Sequence, residues 1–312
     1  MDRQPWIGDV ALLLVSLAWG SSYITAKFVL HETEPFLFLF LRFLITVLIM
    51  LPFTLKSLIK ASKDTWITGI IFGLFIYAIF SFETWGIRFT SASNSAFIIS
   101  LIIILTPLVE WKVNRKFTGY LFLLAVAISF AGTALLTVKE NLLFNWGDIL
   151  IFTAALLRAT QMTYTKKLTN GRTYDSSALT IIQLGVVAIL SGFSTLIVEG
   201  PSSFYIPVSA SFWLSTLYLS VVCTIFAFYA QLVFIRRTSP SRVGLLMGME
   251  PVFGALFAVM LGGEVLTFWN VLGGLMIIGA TFWGRYLLDR RNARQAQTEH
   301  EAETEHANSA QA

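Results

Sequence analysis

Four ionisable side chains stand inside long apolar stretches of the chain: Arg42, Glu83, Arg158 and Glu250. A charge at the centre of a membrane-spanning helix costs at least about 2.5–3.5 kcal/mol, so such residues face a cavity or a partner. Arg42 lies about seven residues, or roughly 10 Å, inside one end of its stretch, and Glu83 lies at a similar depth in the next. Two readings suit this pair. It is a structural ion pair, or Arg42 holds a ligand's carboxylate through its bidentate fork and Glu83 releases it. Glu250 is followed directly by Pro251 in GLLMGMEPVFGALFAVMLGGE. The proline lacks an N–H and frees a carbonyl about four residues earlier, near Met247. Burial disfavours the charged form of a carboxyl group, so Glu250, and after it Glu83, are candidates to exchange a proton. A helix kink with a hydrogen-bonded or protonated Glu250 accounts for the same two residues.

Further polar and aromatic groups accompany these charges. Trp19, Ser21 and Tyr23 belong to WGSSY, where small residues beside an aromatic serve either close helix packing or cavity lining. Gln161 and Tyr164 follow Arg158 at i+3 and i+6 and could share an inward face with it. Arg158 could instead snorkel toward the membrane surface. Asn94 either caps the helix it begins or joins the site. Tyr77 and Tyr229 could line a pocket, and Gln183 and Gln231 are neutral counterparts of Arg42 and Glu83 in an internal repeat described below. Two of the three histidines lie in the C-terminal tail, and no Ser-His-Asp or metal-ligand spacing occurs. No catalytic set, metal or cofactor is expected, and the chain does not read as an enzyme.

The elements that must position these residues are apolar helices. Of 312 residues, 56% are hydrophobic and 13% charged, against about 25% charged in soluble domains. Ten runs of roughly 20 residues are long enough to cross a hydrocarbon core of about 30 Å: Gly8–Leu30, Phe36–Leu55, Thr65–Ile87, Ala92–Trp111, Thr118–Val138, Trp146–Thr165, Ser176–Val198, Ser211–Ile235, Val243–Gly263 and Leu266–Leu287. Their connections are too short to hold a soluble domain. Seventeen Lys and Arg residues fall on one side of this arrangement and three on the other, which places both termini in the cytoplasm. The net charge of +4 reflects that bias, so no nucleic-acid partner is expected. The single cysteine, Cys223, reads as a buried thiol.

A repeat at an offset near 148 relates the two halves. GIRFTSASNS (Gly86–Ser95) aligns with FIRRTSPSRV (Phe234–Val243), and GDVALLLVSL aligns with GDILIFTAAL. The expectation is an all-α integral membrane protein of ten helices, arranged as two five-helix repeats. Its parts are a cytoplasmic segment 1–7, a first repeat 8–138, an extracytoplasmic linker 139–146, a second repeat 147–287 and a disordered cytoplasmic tail 288–312. An odd number of helices per repeat inverts the second repeat. Inverted repeats of this kind mark secondary transporters, whose site lies near the midplane between the halves.

The order W-G-S, Lys, Pro, Arg (Trp19, Gly20, Ser21, Lys27, Pro35, Arg42) resembles the opening of the EamA repeat of the drug/metabolite transporter superfamily. Glu250, Pro251, Gly263 and Glu264 are similar to the same family's Pro followed by Gly-Glu. The halves also depart from each other: Lys116 stands near the place of Glu264, and Arg158 stands where Trp19 would be matched. The resemblance implies a carrier of small metabolites, including amino acids, often outward and driven by protons or exchange. The expected partners are therefore a small-molecule substrate, the lipid bilayer and protons, with a monomeric chain in the cytoplasmic membrane. Import or exchange of a sugar-like or phosphorylated solute is the alternative within transport; a membrane-embedded sensor or enzyme is the alternative outside it.

Overall fold

Long apolar sequence with no room for solvated loops forces the backbone to satisfy its hydrogen bonds within helices. The computed structural model describes residues 5–90, 95, 98–115, 117, 119–137, 146–262 and 267–309, and among them it is helical with no strand. The helices are α1 (Pro5–Val29), α2 (Pro35–Ile59), α3 (Lys63–Phe89), α4 (Ile102–Asn114), α5 (Tyr120–Thr137), α6 (Trp146–Thr169) and α7 (Ser176–Ser194). They continue with α8 (Ala210–Ser220), α9 (Ala227–Ile235), α10 (Pro240–Met247), α11 (Glu250–Gly262) and α12 (Phe268–Ser309). A wide π turn, Val221–Phe226, joins α8 to α9, and another, Thr195–Glu199, extends α7.

Among the described residues, six segments are long and apolar enough to span a bilayer: Trp6–Val29, Pro35–Ile59, Lys63–Phe89, Ser176–Glu199, Ala210–Ile235 and Phe268–Arg291. A seventh, Tyr120–Leu135, is apolar but shorter. The difference from the ten expected runs has local causes. Helix α6 is long, but Asp148, Arg158, Lys166 and Lys167 make it too polar. The expected ninth run is broken at Gly248 and Met249 into α10 and α11. The expected fourth run falls partly outside the described residues, as do Lys116, Glu264 and the linker 139–145. The break lies where Pro251 cannot donate to the ladder, and the Ser16 hydroxyl of α1 donates to the Leu246 carbonyl there at 3.0 Å.

Side chains set several of the helix starts. Ser62, Asp175, Ser209 and Ser239 each accept from a backbone N–H in the first turn of α3, α7, α8 and α10, as N-caps do. The segment expected as a disordered tail continues α12 as a helix to Ser309. Its Ala, Gln, Glu and Arg residues have high intrinsic helix propensity.

Packing joins helices that are far apart in sequence. Helix α5 packs along α12, α2 along α7, α3 along α6 and α7, α1 along α11, and α4 along α6. Small residues permit this closeness. A Cβ on Gly73 would stand 2.6 Å from the Val186 Cβ of α7, and one on Gly248 would stand 2.6 Å from Ile103 of α4.

Both ends of the bundle are tied by polar contacts. At the end holding the N-terminus of α1, Arg242 grips Asp9 with Nε–Oδ1 at 3.0 Å and Nη2–Oδ2 at 2.8 Å. Arg285 reaches Asp9 at 2.8 Å, and Arg242 also pairs with Asp289. Beside them, Glu110 accepts from the Ser241 backbone N–H at 2.9 Å. At the opposite end, the Glu199 carboxylate accepts from the N–H groups of Phe36 and Leu37 at 2.7 and 3.2 Å, capping α2. Arg88 pairs there with Glu34.

Candidate functional site

Five helices, α1, α2, α3, α6 and α11, bring buried charges together around one small cavity. Trp19, Tyr23, Arg42, Glu83, Arg158 and Glu250 all face it, and Leu30, Phe38 and Ile87 place it toward the Glu199 end of the bundle. Its free volume is about 20 Å³. A single water needs about 10–15 Å³, so there is room for a water or two and none for a metabolite.

Arg158 stands at the centre. Its Nη2 lies 2.9 Å from Glu83 Oε2, and its Nη1 lies 3.8 Å from Glu250 Oε2. Its guanidinium carbon lies 4.8 Å from the centre of the Trp19 ring, a cation–π distance. Of the two readings for this arginine, the inward one describes the structure: Arg158 is buried and paired. The partner of Glu83 is therefore Arg158, and the expected Arg42–Glu83 ion pair is replaced. Among the described residues, Arg42 forms no ion pair. Its Nε donates to the Thr224 hydroxyl at 2.9 Å, and its guanidinium lies 5.0 Å from the Phe80 ring centre. The Tyr23 hydroxyl is buried within electrostatic reach of Glu250, Glu83 and Arg158.

Local structure explains how these groups meet. Glu250 opens α11 directly after the helix break, so its carboxylate sits in a first turn, where the helix dipole favours a negative charge. Gly20 lets α1 approach that turn: a Cβ there would lie 2.8 Å from both the Glu250 carbonyl oxygen and the Gly254 nitrogen. WGSSY thus serves packing through Gly20 and cavity lining through Trp19 and Tyr23. Ser21 faces away from the cavity and shares a 2.5 Å hydrogen bond with the Tyr218 hydroxyl.

The remaining candidates sit apart from this cavity. Tyr77 hydrogen-bonds Ser194 at 2.5 Å, and Gln231 donates to the Met247 sulfur at 3.4 Å. Gln183 is buried on α7 with its Oε1 unpartnered, and Tyr229 is exposed. Gln161 is buried near Arg158, but Tyr164 turns outward, ring to ring with Phe75. Steps of three residues rotate by about −60° each, so i+6 lies about 120° round the helix from i. Asn94 lies outside the described residues.

The π turn supplies contacts that the sequence reading missed. The Cys223 carbonyl accepts from Trp19 Nε1 at 2.9 Å, and Thr224 meets Arg42. A threonine after a cysteine in an apolar run carries no spacing signal. The only available cue was that a hydroxyl in such a run needs a partner.

The EamA-like transporter family model matches residues 6–138 and again 145–284. An uncharacterized transporter of Archaeoglobus fulgidus is 28% identical over 290 residues, covering 87% of this chain and 94% of that protein. The uncharacterized inner membrane transporter YedA of Escherichia coli K12 is 25% identical over 285 residues, covering 89% and 91%. A crystal structure superposes with a TM-score of 0.74 at 19% identity, covering 91% of this chain and 98% of the other, a likeness of fold. Apolar helices around a closed, charged cavity, with a family match along nearly the whole length, have one consistent meaning: the chain belongs to the EamA-like transporter family and is a multi-pass membrane transporter.

Proposed function

We propose that the protein is a secondary carrier that moves a small metabolite, an amino acid or related compound, out of the cell by alternating access with proton coupling. The observation that carries this reading is the four-charge group at the cavity. Arg42 and Glu83 come from the first segment that the family model matches, and Arg158 and Glu250 from the second. A site built from both halves changes its geometry when the halves rock, as carriers of inverted repeats do.

Helix pairing supports two five-helix repeats. If the first five expected spans correspond in order to the last five, the α1–α11 contact is the counterpart of the α6–α4 contact, while α2–α7 and α5–α12 are their own counterparts. Ten crossings then follow, with α10 and α11 forming one broken span. The Lys and Arg bias supports cytoplasmic termini in the cytoplasmic membrane. With that orientation the Asp9–Arg242 network closes the inner end, and the cavity lies on the outer side of it. Its small volume supports a closed state that must open to admit substrate.

Glu250 is the proposed proton site. Its contact to Arg158 is the longer of the two at 3.8 Å, so neutralising it leaves the Arg158–Glu83 pair in place. Purified protein in proteoliposomes with an imposed pH gradient tests this reading. Gradient-driven flux of a panel of amino acids is expected in the wild type and lost in Glu250→Gln. Undiminished gradient-driven flux in Glu250→Gln removes the coupling role.

A further inference from the structure

Arg42 is the member of the charged group that has no carboxylate partner among the described residues, and most of its hydrogen-bonding capacity is left over. It is buried, with 3% of its surface exposed, and it lines the cavity. Its only hydrogen bond among the described residues uses Nε. The two Nη groups, with four N–H donors, have no protein acceptor among those residues. Phe38, Phe43 and Phe80 surround the guanidinium at 6.0, 5.6 and 5.0 Å. Aromatic faces orient a cation but supply no lone pairs in its plane. A buried arginine so arranged lacks the anion that its planar fork is built to hold.

The π turn fixes which edge of the guanidinium is free. The Thr224 hydroxyl donates its own proton to the Leu219 carbonyl five residues back, at 2.8 Å. Its oxygen is therefore left to accept from Arg42 Nε. The Ser220 hydroxyl, one turn earlier, shares its proton between the Thr216 carbonyl at 2.8 Å and the Arg42 carbonyl at 2.9 Å. Ser220 at the end of α8 and Thr224 in the π turn, four residues apart and so on one face, thus meet the backbone and the side chain of Arg42 respectively. With Nε held by Thr224, the two Nη groups are the part of this cavity-lining side chain left to meet a ligand.

We infer that the Nη edge of Arg42 is an anion subsite for the carboxylate of a singly charged ligand, and that Thr224 is the positioning residue that aims it. The nearby carboxylates Glu83 and Glu250 disfavour a doubly charged group such as phosphate. This rests on the carrier reading above and names the chemistry its site takes.

The test uses full-length protein in nanodiscs. The probes are a panel of monocarboxylates, the amide of each, and inorganic phosphate, with the ligand-induced rise in melting temperature as readout. Carboxylates are expected to stabilise the wild type, their amides and phosphate not. Arg42→Gln is expected to lose the effect. Thr224→Val should weaken carboxylate affinity by about tenfold, the scale of one hydrogen bond to a charged group, with Thr224→Ser restoring it. If Arg42→Gln does not fold, Arg42→Lys keeps the buried cation and should bind carboxylates more weakly. The subsite is overturned if no carboxylate in the panel stabilises the wild type, if amides or phosphate do as well, or if the Arg42 variant that folds responds like the wild type. Unchanged affinity in Thr224→Val overturns the positioning role alone. Gradient-driven flux without a carboxylate requirement overturns the subsite and leaves the carrier reading standing. Carboxylate binding without flux does the reverse.

Discussion

Arg158 touches Glu83 at 2.9 Å and Glu250 only at 3.8 Å, and that difference has an energetic consequence. Removing one partner of a buried pair strands the other charge, at a cost of about 3–5 kcal/mol. Glu83→Gln is therefore expected to destabilise the protein by about 3 kcal/mol or more, and Glu250→Gln by clearly less. Thermal unfolding of both variants in the same detergent checks this; equal losses would mean that the two contacts weigh alike. That Arg42, Glu83, Arg158 and Glu250 belong together was legible from the cost of charge in apolar runs. Which arginine pairs with Glu83 was not. The expected partner sat on the neighbouring helix in sequence, whereas α6 is the element that packs along α3.

At the scale of elements, the meeting of α1 with α11 decides whether Glu250 reaches the cavity. A Cβ on Gly20 would press at 2.8 Å on backbone atoms of α11, which cannot swing aside as a flexible side chain can. Gly20→Ala is expected to push the two helices apart and to abolish transport, measured as flux per folded protein in proteoliposomes. Gly185, on α7, offers a control because nothing lies within 4 Å of a Cβ built there. Gly185→Ala should leave flux unchanged and raise stability by about 0.5–1 kcal/mol, the helix propensity gained. A deleterious Gly185→Ala together with a neutral Gly20→Ala would reverse this account of the contact. The glycines and Pro251 were readable as packing and breaking signals. The π turn at Val221–Phe226 was not, because its residues are ordinary apolar helix sequence with a cysteine and a threonine.

For the whole molecule, the polar ties at its two ends should control which side opens. Asp9 is shared by Arg242 and Arg285, and it joins α1 to α10 and α12. Asp9→Asn removes the shared charge and is expected to favour opening at that end. Cys223, the only cysteine, is buried against the Ala18 carbonyl beside the cavity wall. Its rate of modification by a membrane-impermeant maleimide, applied to inside-out vesicles, should rise in Asp9→Asn over the wild type. An unchanged rate would show that the network does not limit opening. Reporter fusions at the C-terminus, active only in the cytoplasm, test the orientation that the Lys and Arg bias implies.

Sequence by itself determined the solvent of this protein, the helical class and the family, because apolar length, charge bias and short motifs are properties of the chain alone. It also singled out the charged residues, since each violates the apolar pattern on its own. Tertiary structure decided the partners: Arg158 between Glu83 and Glu250, Arg42 on Thr224, Asp9 between two arginines. These contacts join residues 75 to 276 positions apart. Helical periodicity gives the face that a residue occupies, but only packing gives the helix which that face meets.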